Sequence, residues 1–281
     1  MASPAAETLT YTLGRTESET RRLMLQAQIY HQVTHRFLSD AGIVPGMKVL
    51  DLGSGPGDVA FIAADIVGQF GEVVGIDLNP IVLDLARSRA QAEGRTNVTF
   101  VEGDCRAAQL PNDFDAAIGR LVLMYTGDVA KTMQGIVEHV RPGGVVAFME
   151  AEFSVVLGYL RAGSSDLLPK AWEWADQVFR QSGAQTSMAP QLFQAFVSAG
   201  LGVPQMELRA PMGGSDDWIG YEWAVESMRS ILPLLEKYDI TTSDEMGLDT
   251  LGNRVRTDVN QNGYPFMLIP MVTAWASKPM A

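Results

Sequence analysis

The chain has 281 residues, of which 47% are hydrophobic and 19% charged, a composition typical of a folded globular protein with a full-sized core. Its formal net charge is −12 and it has no stripe rich in Lys and Arg, which argues against a nucleic acid as substrate or partner. A single cysteine, Cys105, excludes an internal disulfide framework and a cysteine-rich metal site.

The N-terminus does not resemble a secretory signal. The first ten residues lack both a basic start and an apolar segment. No uninterrupted apolar run approaches the ~18 residues that would suggest a membrane span. We therefore expect a cytoplasmic protein without a membrane partner.

A long amphipathic helix is predicted near the N-terminus, from the capping sequence at residues 16–19 to about Gly42. His31 and His35 lie four residues apart and so share one face of this helix. No further histidine cluster or Glu-rich motif accompanies them, so we predict no metal site. We interpret the pair as pocket-lining or solvent-facing, with His31 as a candidate catalytic residue.

Three glycines follow the first predicted strand, residues 47–52, in the spacing Gly-x-Gly-x-Gly at residues 53–57. Residues 58–67 are apolar at helical spacing, so a strand, a glycine turn and a helix form half of a βαβ unit. Glycines let the backbone approach a ligand where a Cβ would collide. The dinucleotide spacing Gly-x-Gly-x-x-Gly is not met, because Asp58 puts a carboxylate where phosphates would lie.

Acidic residues end the next two predicted strands. Residues 72–77 form a second strand that ends in Asp77, and an acid there can accept both hydroxyls of a ribose. This holds for NAD as well, so Asp77 indicates a nucleoside without choosing which. After a helix over residues 80–92, a third strand over residues 97–104 ends in Asp104.

Arg120 directly follows the fourth predicted strand, residues 114–119. Its planar guanidinium can bind a carboxylate of a ligand, or it can form a structural salt bridge. Both interpretations stay open.

The fifth predicted strand, residues 145–150, follows a helix over residues 128–140 and an Arg-Pro-Gly-Gly turn at 141–144. It ends in Glu150 and Glu152, at the sheet edge where ligands bind in open α/β proteins. Either carboxylate can act as a general base if burial raises its pKa. The alternative is a hydrogen-bonded or solvated pair.

Taken in order, the glycine loop, Asp77, Asp104 and the Arg-Pro-Gly-Gly turn resemble the class I S-adenosylmethionine (SAM) methyltransferases. The resemblance spans residues 47–151 closely and the remainder only in topology. It implies an α/β, Rossmann-like fold with a seven-stranded, mostly parallel sheet, an antiparallel last strand and a helical cap. It also implies SAM as the cofactor and S-adenosylhomocysteine (SAH) as its product.

The resemblance also implies roles for individual residues. The glycine loop would shape the methionine side of the cofactor, Asp77 the ribose, and Asp104 with the backbone of Cys105 the adenine. The implied cofactor-binding residues are Tyr11, Gln28, Gly53, Ser54, Gly55, Gly57, Asp77, Leu78, Asp104, Cys105 and Arg120. Tyr11 and Gln28 are included by resemblance to enzymes in which a similar cap closes the cofactor pocket.

Beyond residue 153 the pattern predicts helices over residues 165–182 and 190–199, a sixth strand over 201–208, helices over 218–238 and 243–259 with Pro233 as a break or kink, and a last strand over 265–275. The expected domains are an N-terminal cap segment (1–45), a cofactor-binding core (46–210), a helical insertion (211–262) and the last core strand (263–281). Bulky insertion residues are either substrate contacts or the core of the cap: Trp218, Tyr221, Trp223 and Met228.

These features predict a methyltransferase that moves a methyl group from SAM to oxygen, nitrogen or carbon of a small, partly apolar metabolite. Much of the catalysis can come from alignment and desolvation, because the methyl group is already activated. The alternatives are a SAM-binding regulatory protein without catalysis and, less favoured, an NAD-dependent oxidoreductase. A homodimer is an open alternative to a monomer.

Overall fold

The computed structural model describes residues 17–104, 110–163 and 167–280. The chain divides into two compact units. We name them the sheet unit, made of His31–Ala151, Ser187–Arg209 and Met271–Ala281, and the helical unit, made of Met1–Tyr30, Glu152–Thr186 and Ala210–Pro270. This division differs from the expected domains, since residues 152–186 group with the helical unit and not with the core.

The described helices are α1 (Glu17–Asp40), α2 (Asp58–Val67), α3 (Pro80–Ala92), α4 (Val129–Glu138), α5 (Phe153–Gly163), α6 (Leu167–Gln181), α7 (Met188–Ser198), α8 (Gly220–Lys237), α9 (Ser243–Met246) and α10 (Leu248–Asn262). The described strands are β1 (Lys48–Leu52), β2 (Glu72–Asp77), β3 (Val98–Glu102), β4 (Phe114–Arg120), β5 (Val140–Ala151), β6 (Gln205–Arg209), β7 (Met212–Gly213), β8 (Phe266–Met267) and β9 (Met271–Ser277).

The sheet unit is built on seven strands in the order β3-β2-β1-β4-β5-β9-β6. Strand β9 runs antiparallel to both of its neighbours, β5 and β6, whereas the pairs from β3 to β5 are parallel. This confirms the predicted α/β fold with a mostly parallel sheet and an antiparallel last strand. The strand order reverses between β1 and β4, and ligands bind outside the carboxyl ends of strands at such a point.

The central strands are apolar along their length because both of their faces are covered. Leu50 in β1, Ile118 in β4 and Phe148 in β5 are fully buried. Helices α2 and α3 contact the β1–β3 half of the sheet, and α4 and α7 contact each other and β5. The buried sheet thus provides a rigid base for the loops at the carboxyl ends of its strands.

The helical unit contains the N-terminal part of α1, then α5, α6, α8, α9, α10 and the short β7–β8 pair. Helix α8 packs against α6 and α10, and α5 packs against α6. None of the described helices combines the length and the apolar character that crossing a bilayer requires.

Several local expectations differ from the structure. A single last strand over 265–275 was expected, but β8 and β9 are separate, with β9 beginning after Pro270. The second insertion helix is divided at Gly247, whose left-handed φ of 62° ends α9. Helix α5 was not predicted at all, and β6 begins at Gln205, after the left-handed Gly202 and after Pro204. Pro233 was expected to break or kink a helix; it does not break α8, which continues through it, and the kink stays a prediction.

Candidate cofactor site

The glycine loop after β1 has a backbone that only glycine adopts without strain. Gly53, Gly55 and Gly57 have φ values of 63°, 51° and 92°. A Cβ on Gly53 would lie 2.6 Å from the Val122 side chain, and one on Gly57 would lie 2.9 Å from aromatic rings of α2 and β3. A Cβ on Gly55 would meet nothing within 4 Å. The loop is therefore packed at both ends and open at its middle, where a ligand can approach its backbone.

Asp51, the fourth residue of β1, is the most unusual side chain of this site. It is 1% exposed, and neither carboxylate oxygen has a hydrogen-bond partner among the residues that the structure describes. Burial raises the pKa of Asp51 to about 8, against the opposing effects of the positive charge on Arg120 and of the nearby Ala60 N–H, which does not reach hydrogen-bond geometry. The hydroxyl of Ser54 is also buried without such a partner. A ligand with a cationic hydrogen-bond donor would satisfy both groups.

Arg120 lies at the end of β4 and is 9% exposed. Its Nη1 donates a 2.9 Å hydrogen bond to the Thr34 hydroxyl of α1. Thr34 in turn lies 3.9 Å from the sulfur of Met149. This placement is compatible with both interpretations of Arg120, the structural salt bridge and the ligand contact. Thr34 was not predicted as a polar site residue, because it lies at a position of α1 where the helical spacing predicts a buried apolar side chain.

Asp77, at the end of β2, braces the glycine loop. One carboxylate oxygen accepts a 2.9 Å hydrogen bond from the Gly55 N–H, and the other accepts one of 2.9 Å from the Asn79 N–H. Burial raises the pKa of Asp77, and these two N–H groups oppose the rise. Leu78 beside it is 54% exposed, so an apolar surface adjoins the carboxylate. Asn79 caps α3, since its side chain accepts a hydrogen bond from the Ile81 N–H.

The other predicted cofactor residues are placed as follows. Asp104 follows β3 in the sheet unit and is half-buried. Gln28 belongs to the helical unit and is exposed. Tyr11 and Cys105 lie outside the described residues.

Glu150 was predicted as a candidate base, but its carboxylate is engaged by backbone. The side chain is fully buried and accepts hydrogen bonds from the N–H groups of Val122 (3.1 Å), Leu123 (2.9 Å) and Met124 (3.4 Å). Burial raises the pKa of Glu150 to about 7, and the three N–H groups oppose this rise. The loop that it holds starts at Leu121, whose φ of 57° is unusual for a branched residue.

The loop held by Glu150 reaches the glycine loop. The Val122 side chain occupies the space in which a Cβ on Gly53 would lie. A continuous series of contacts thus joins the end of β5 to the first glycine of the cofactor loop. We infer that Glu150 positions this loop.

The remaining catalytic candidates are placed as follows. Glu152 belongs to the helical unit, is 2% exposed and accepts a 2.6 Å hydrogen bond from the Ser154 hydroxyl. His31 and His35 are exposed on α1. Within the described part of the chain, no group of three His, Cys, Asp or Glu side chains is arranged to hold a metal ion.

The predicted substrate residues all lie in the helical unit, on or just before α8. Tyr221, Trp223 and Met228 are 1%, 3% and 2% exposed, and Trp218 is half-buried. Their burial fits the alternative that they form the core of this unit. The three aromatic side chains among them also carry a polar group each.

We expect that Asp51→Asn raises the thermal stability of the ligand-free protein more at pH 8 than at pH 5. The pKa of Asp51 is raised from 3.8 to about 8, so ionisation destabilises the fold progressively as the pH rises through that interval. Thermal unfolding of both proteins at the two pH values measures this. Asp84→Asn, at an exposed carboxylate on α3, is the control. An equal difference between Asp51→Asn and the wild type at both pH values would contradict the assignment.

Comparison with known proteins indicates a methyltransferase domain. Residues 43–182 match a family model described as a methyltransferase domain, a range that includes Asp51, the glycine loop and Asp77. Over 149 residues the chain is 32% identical to the ubiquinone/menaquinone biosynthesis C-methyltransferase UbiE of Vibrio vulnificus. That match covers 51% of this chain and 57% of the relative, so the chain spans little more than half the length of that protein.

Solved structures show the same fold at low sequence identity. A putative methyltransferase from Bacillus halodurans is 14% identical, with a TM-score of 0.59 over 89% of this chain and 100% of that one. A phosphoethanolamine N-methyltransferase 2 from Haemonchus contortus, in complex with phosphomonomethylethanolamine and SAH, is 19% identical. Its TM-score is 0.59 over 97% of this chain and 61% of that one. Together with the seven-stranded sheet, the family match places residues 43–182 among the class I SAM-dependent methyltransferases.

Proposed function

We propose that this protein is a SAM-dependent methyltransferase that acts on a small-molecule acceptor and leaves SAH. The observation that carries the proposal is the buried Asp51 carboxylate, which lacks a hydrogen-bond partner among the described residues beside an open glycine loop. SAM has an ammonium group on its methionine end and a cationic sulfonium. Both are groups that a buried, unsatisfied carboxylate favours.

The residues of the sheet unit fit the parts of this cofactor. Asp51 would accept from the ammonium group, with the backbone of the glycine loop along the methionine chain. Asp77 uses each oxygen once for a backbone N–H, so each keeps acceptor capacity for a ribose hydroxyl. Leu78 offers an exposed apolar surface for the adenine ring, and Asp104 an acceptor for its amino group.

When bound, SAM supplies a methyl group on a positively charged sulfur. The contribution of the chain is to bind and orient the cofactor and to keep the site dry, which lowers the barrier of an in-line displacement. The carboxylate of Glu150 serves this by fixing the loop that packs on Gly53. The curated relative is described as a C-methyltransferase, and that supports activated ring carbons as the first acceptors to test.

A nicotinamide dinucleotide is disfavoured by the start of α2. Asp58 stands at the helix N-terminus, where a pyrophosphate would lie in a dinucleotide site. Its carboxylate is 2.8 Å from Arg89, whose guanidinium also donates to the Pro56 carbonyl. The Asp58 carboxylate thus already occupies the N-terminal, positive end of the α2 dipole.

Calorimetric titration with SAM, SAH and NAD⁺ tests the cofactor. We expect micromolar binding of SAM and SAH and none of NAD⁺. Asp77→Ala should weaken SAM binding by about 10- to 100-fold, since it removes charge-assisted hydrogen bonds to the ribose and to the Gly55 N–H. Asp65→Ala, at an exposed ion pair on α2, is the matched control and should bind normally.

Release of SAH with a panel of small aromatic acceptors tests the reaction. Turnover with any of them establishes the transferase. SAM binding without turnover across the panel would favour the non-catalytic alternative, and NAD⁺ binding without SAM binding would overturn the proposal.

Glu150→Gln separates positioning from general-base catalysis. If Glu150 positions the loop, the variant should raise the Kd for SAM about tenfold and leave kcat nearly unchanged, because the loop on Gly53 loses its carboxylate. Loss of kcat at an unchanged Kd, together with a lost limb in the pH profile of kcat, would instead identify a base. Glu138→Gln, at an exposed carboxylate ending α4, controls for the loss of one charge.

A further inference from the structure

The helical unit contains a continuous series of aromatic rings, which we name the aromatic cluster: Tyr30, Trp172, Trp218, Tyr221, Trp223 and Phe266. The centroids of neighbouring rings are 5.5–6.4 Å apart. The distances are 6.3 Å for Tyr30–Trp223, 5.9 Å for Trp223–Trp172, 6.4 Å for Trp172–Phe266, 6.1 Å for Phe266–Tyr221 and 5.5 Å for Tyr221–Trp218. Tyr221 stacks on Phe266 with an interplanar angle of 10°. Such spacings are typical of packed aromatic pairs.

Three polar groups in this cluster are buried without a hydrogen-bond partner among the described residues. They are the indole N–H groups of Trp172 and Trp223 and the hydroxyl of Tyr221. Buried Tyr and Trp side chains normally find a partner, because leaving a donor unsatisfied costs stability. The Tyr30 hydroxyl in the same cluster does so, by donating to the Ile269 carbonyl at 2.8 Å.

All of the unsatisfied groups can donate. Burial raises the pKa of Tyr221 above its usual 10, so its hydroxyl keeps its proton at neutral pH. The Arg256 guanidinium lies 5.2 Å from the centre of the Tyr221 ring, and its Nε is also buried with no hydrogen-bond partner in the part of the chain that the structure describes. A complementary ligand therefore carries hydrogen-bond acceptors on a flat apolar body.

Trp218 is placed to cover the cluster. Its indole lies against the backbones of Gly213 and Gly220, in the space that a Cβ on either residue would fill. It makes edge contacts with Tyr221 and Phe266, at 5.5 and 5.6 Å. It is half-buried, whereas the other five rings of the cluster are almost fully buried. Trp218 is therefore the ring of the cluster that is most open to solvent.

We propose that the aromatic cluster binds a flat, largely apolar ring compound that presents a carbonyl or phenolic oxygen to Trp172, Trp223 and Tyr221. A role for the bound compound as the methyl acceptor rests on the proposed function. The binding itself requires only the helical unit's own residues, so it can be measured without cofactor.

Two matched probes test this binding in the intact protein. 2-Acetylnaphthalene carries one carbonyl oxygen, and 2-ethylnaphthalene has a similar shape without an acceptor. Titrations followed by the indole N–H signals of the five tryptophans should show the Trp172 or the Trp223 signal moving downfield with the acetyl probe alone, since its one carbonyl oxygen can accept from one indole beside Tyr221. We expect the ethyl probe to bind about fivefold more weakly, since it makes no hydrogen bond.

Tyr221→Phe removes one unsatisfied donor at nearly constant shape. We expect an unchanged or higher Tm without ligand, and about fivefold weaker binding of the acetyl probe with unchanged binding of the ethyl probe. Tyr30→Phe, which removes a satisfied hydroxyl, should lower the Tm and leave the ratio of the two affinities as in the wild type.

Three results would overturn the proposal: neither probe binds saturably, both bind equally with unmoved indole signals, or Tyr221→Phe lowers the Tm as Tyr30→Phe does. Each of them leaves SAM binding to the sheet unit untouched. Failure of this inference is therefore distinguishable from failure of the proposed function.

Discussion

The buried carboxylate of Asp51 is the constraint on which the cofactor site depends. A carboxylate in the middle of a buried sheet costs folding free energy unless it is paired. Arg120 lowers this cost through its nearby positive charge, without a hydrogen bond to Asp51. Functional sites commonly retain such destabilising groups because a ligand later satisfies them. The open glycine loop beside Asp51 supplies the space in which this can happen.

Two other carboxylates give the site its shape through the backbone. Asp77 holds the middle of the glycine loop at the Gly55 N–H, and Glu150 holds three N–H groups of the loop after β4. Both loops lie at the carboxyl ends of strands, next to the reversal of strand order between β1 and β4. The acids that the sequence analysis interpreted as ligand contacts or bases are therefore also structural braces, and this accounts for the burial of Glu150.

Much of the sheet unit could be predicted from the sequence, because buried strands and glycine turns have local signatures. Asp51 lies two residues before the first glycine of the loop, but its lack of partners depends on tertiary packing and has no local signature in the sequence. The contacts of Glu150 likewise join residues 26 to 28 positions apart, and no spacing rule reveals them. In the helical unit, α5 and the separation of β8 from β9 were missed because short apolar segments are ambiguous between helix and strand.

Proton release on SAM binding at pH 7 tests the central role of Asp51 most directly. Calorimetric titrations in two buffers with different ionisation enthalpies measure it. With a pKa of about 8, Asp51 is mostly protonated in the free protein, and an ammonium group beside it would favour the ionised form. The account predicts release on the order of one proton per SAM bound, lost in Asp51→Asn. SAM binding without proton release, or with the same release in the variant, would contradict it.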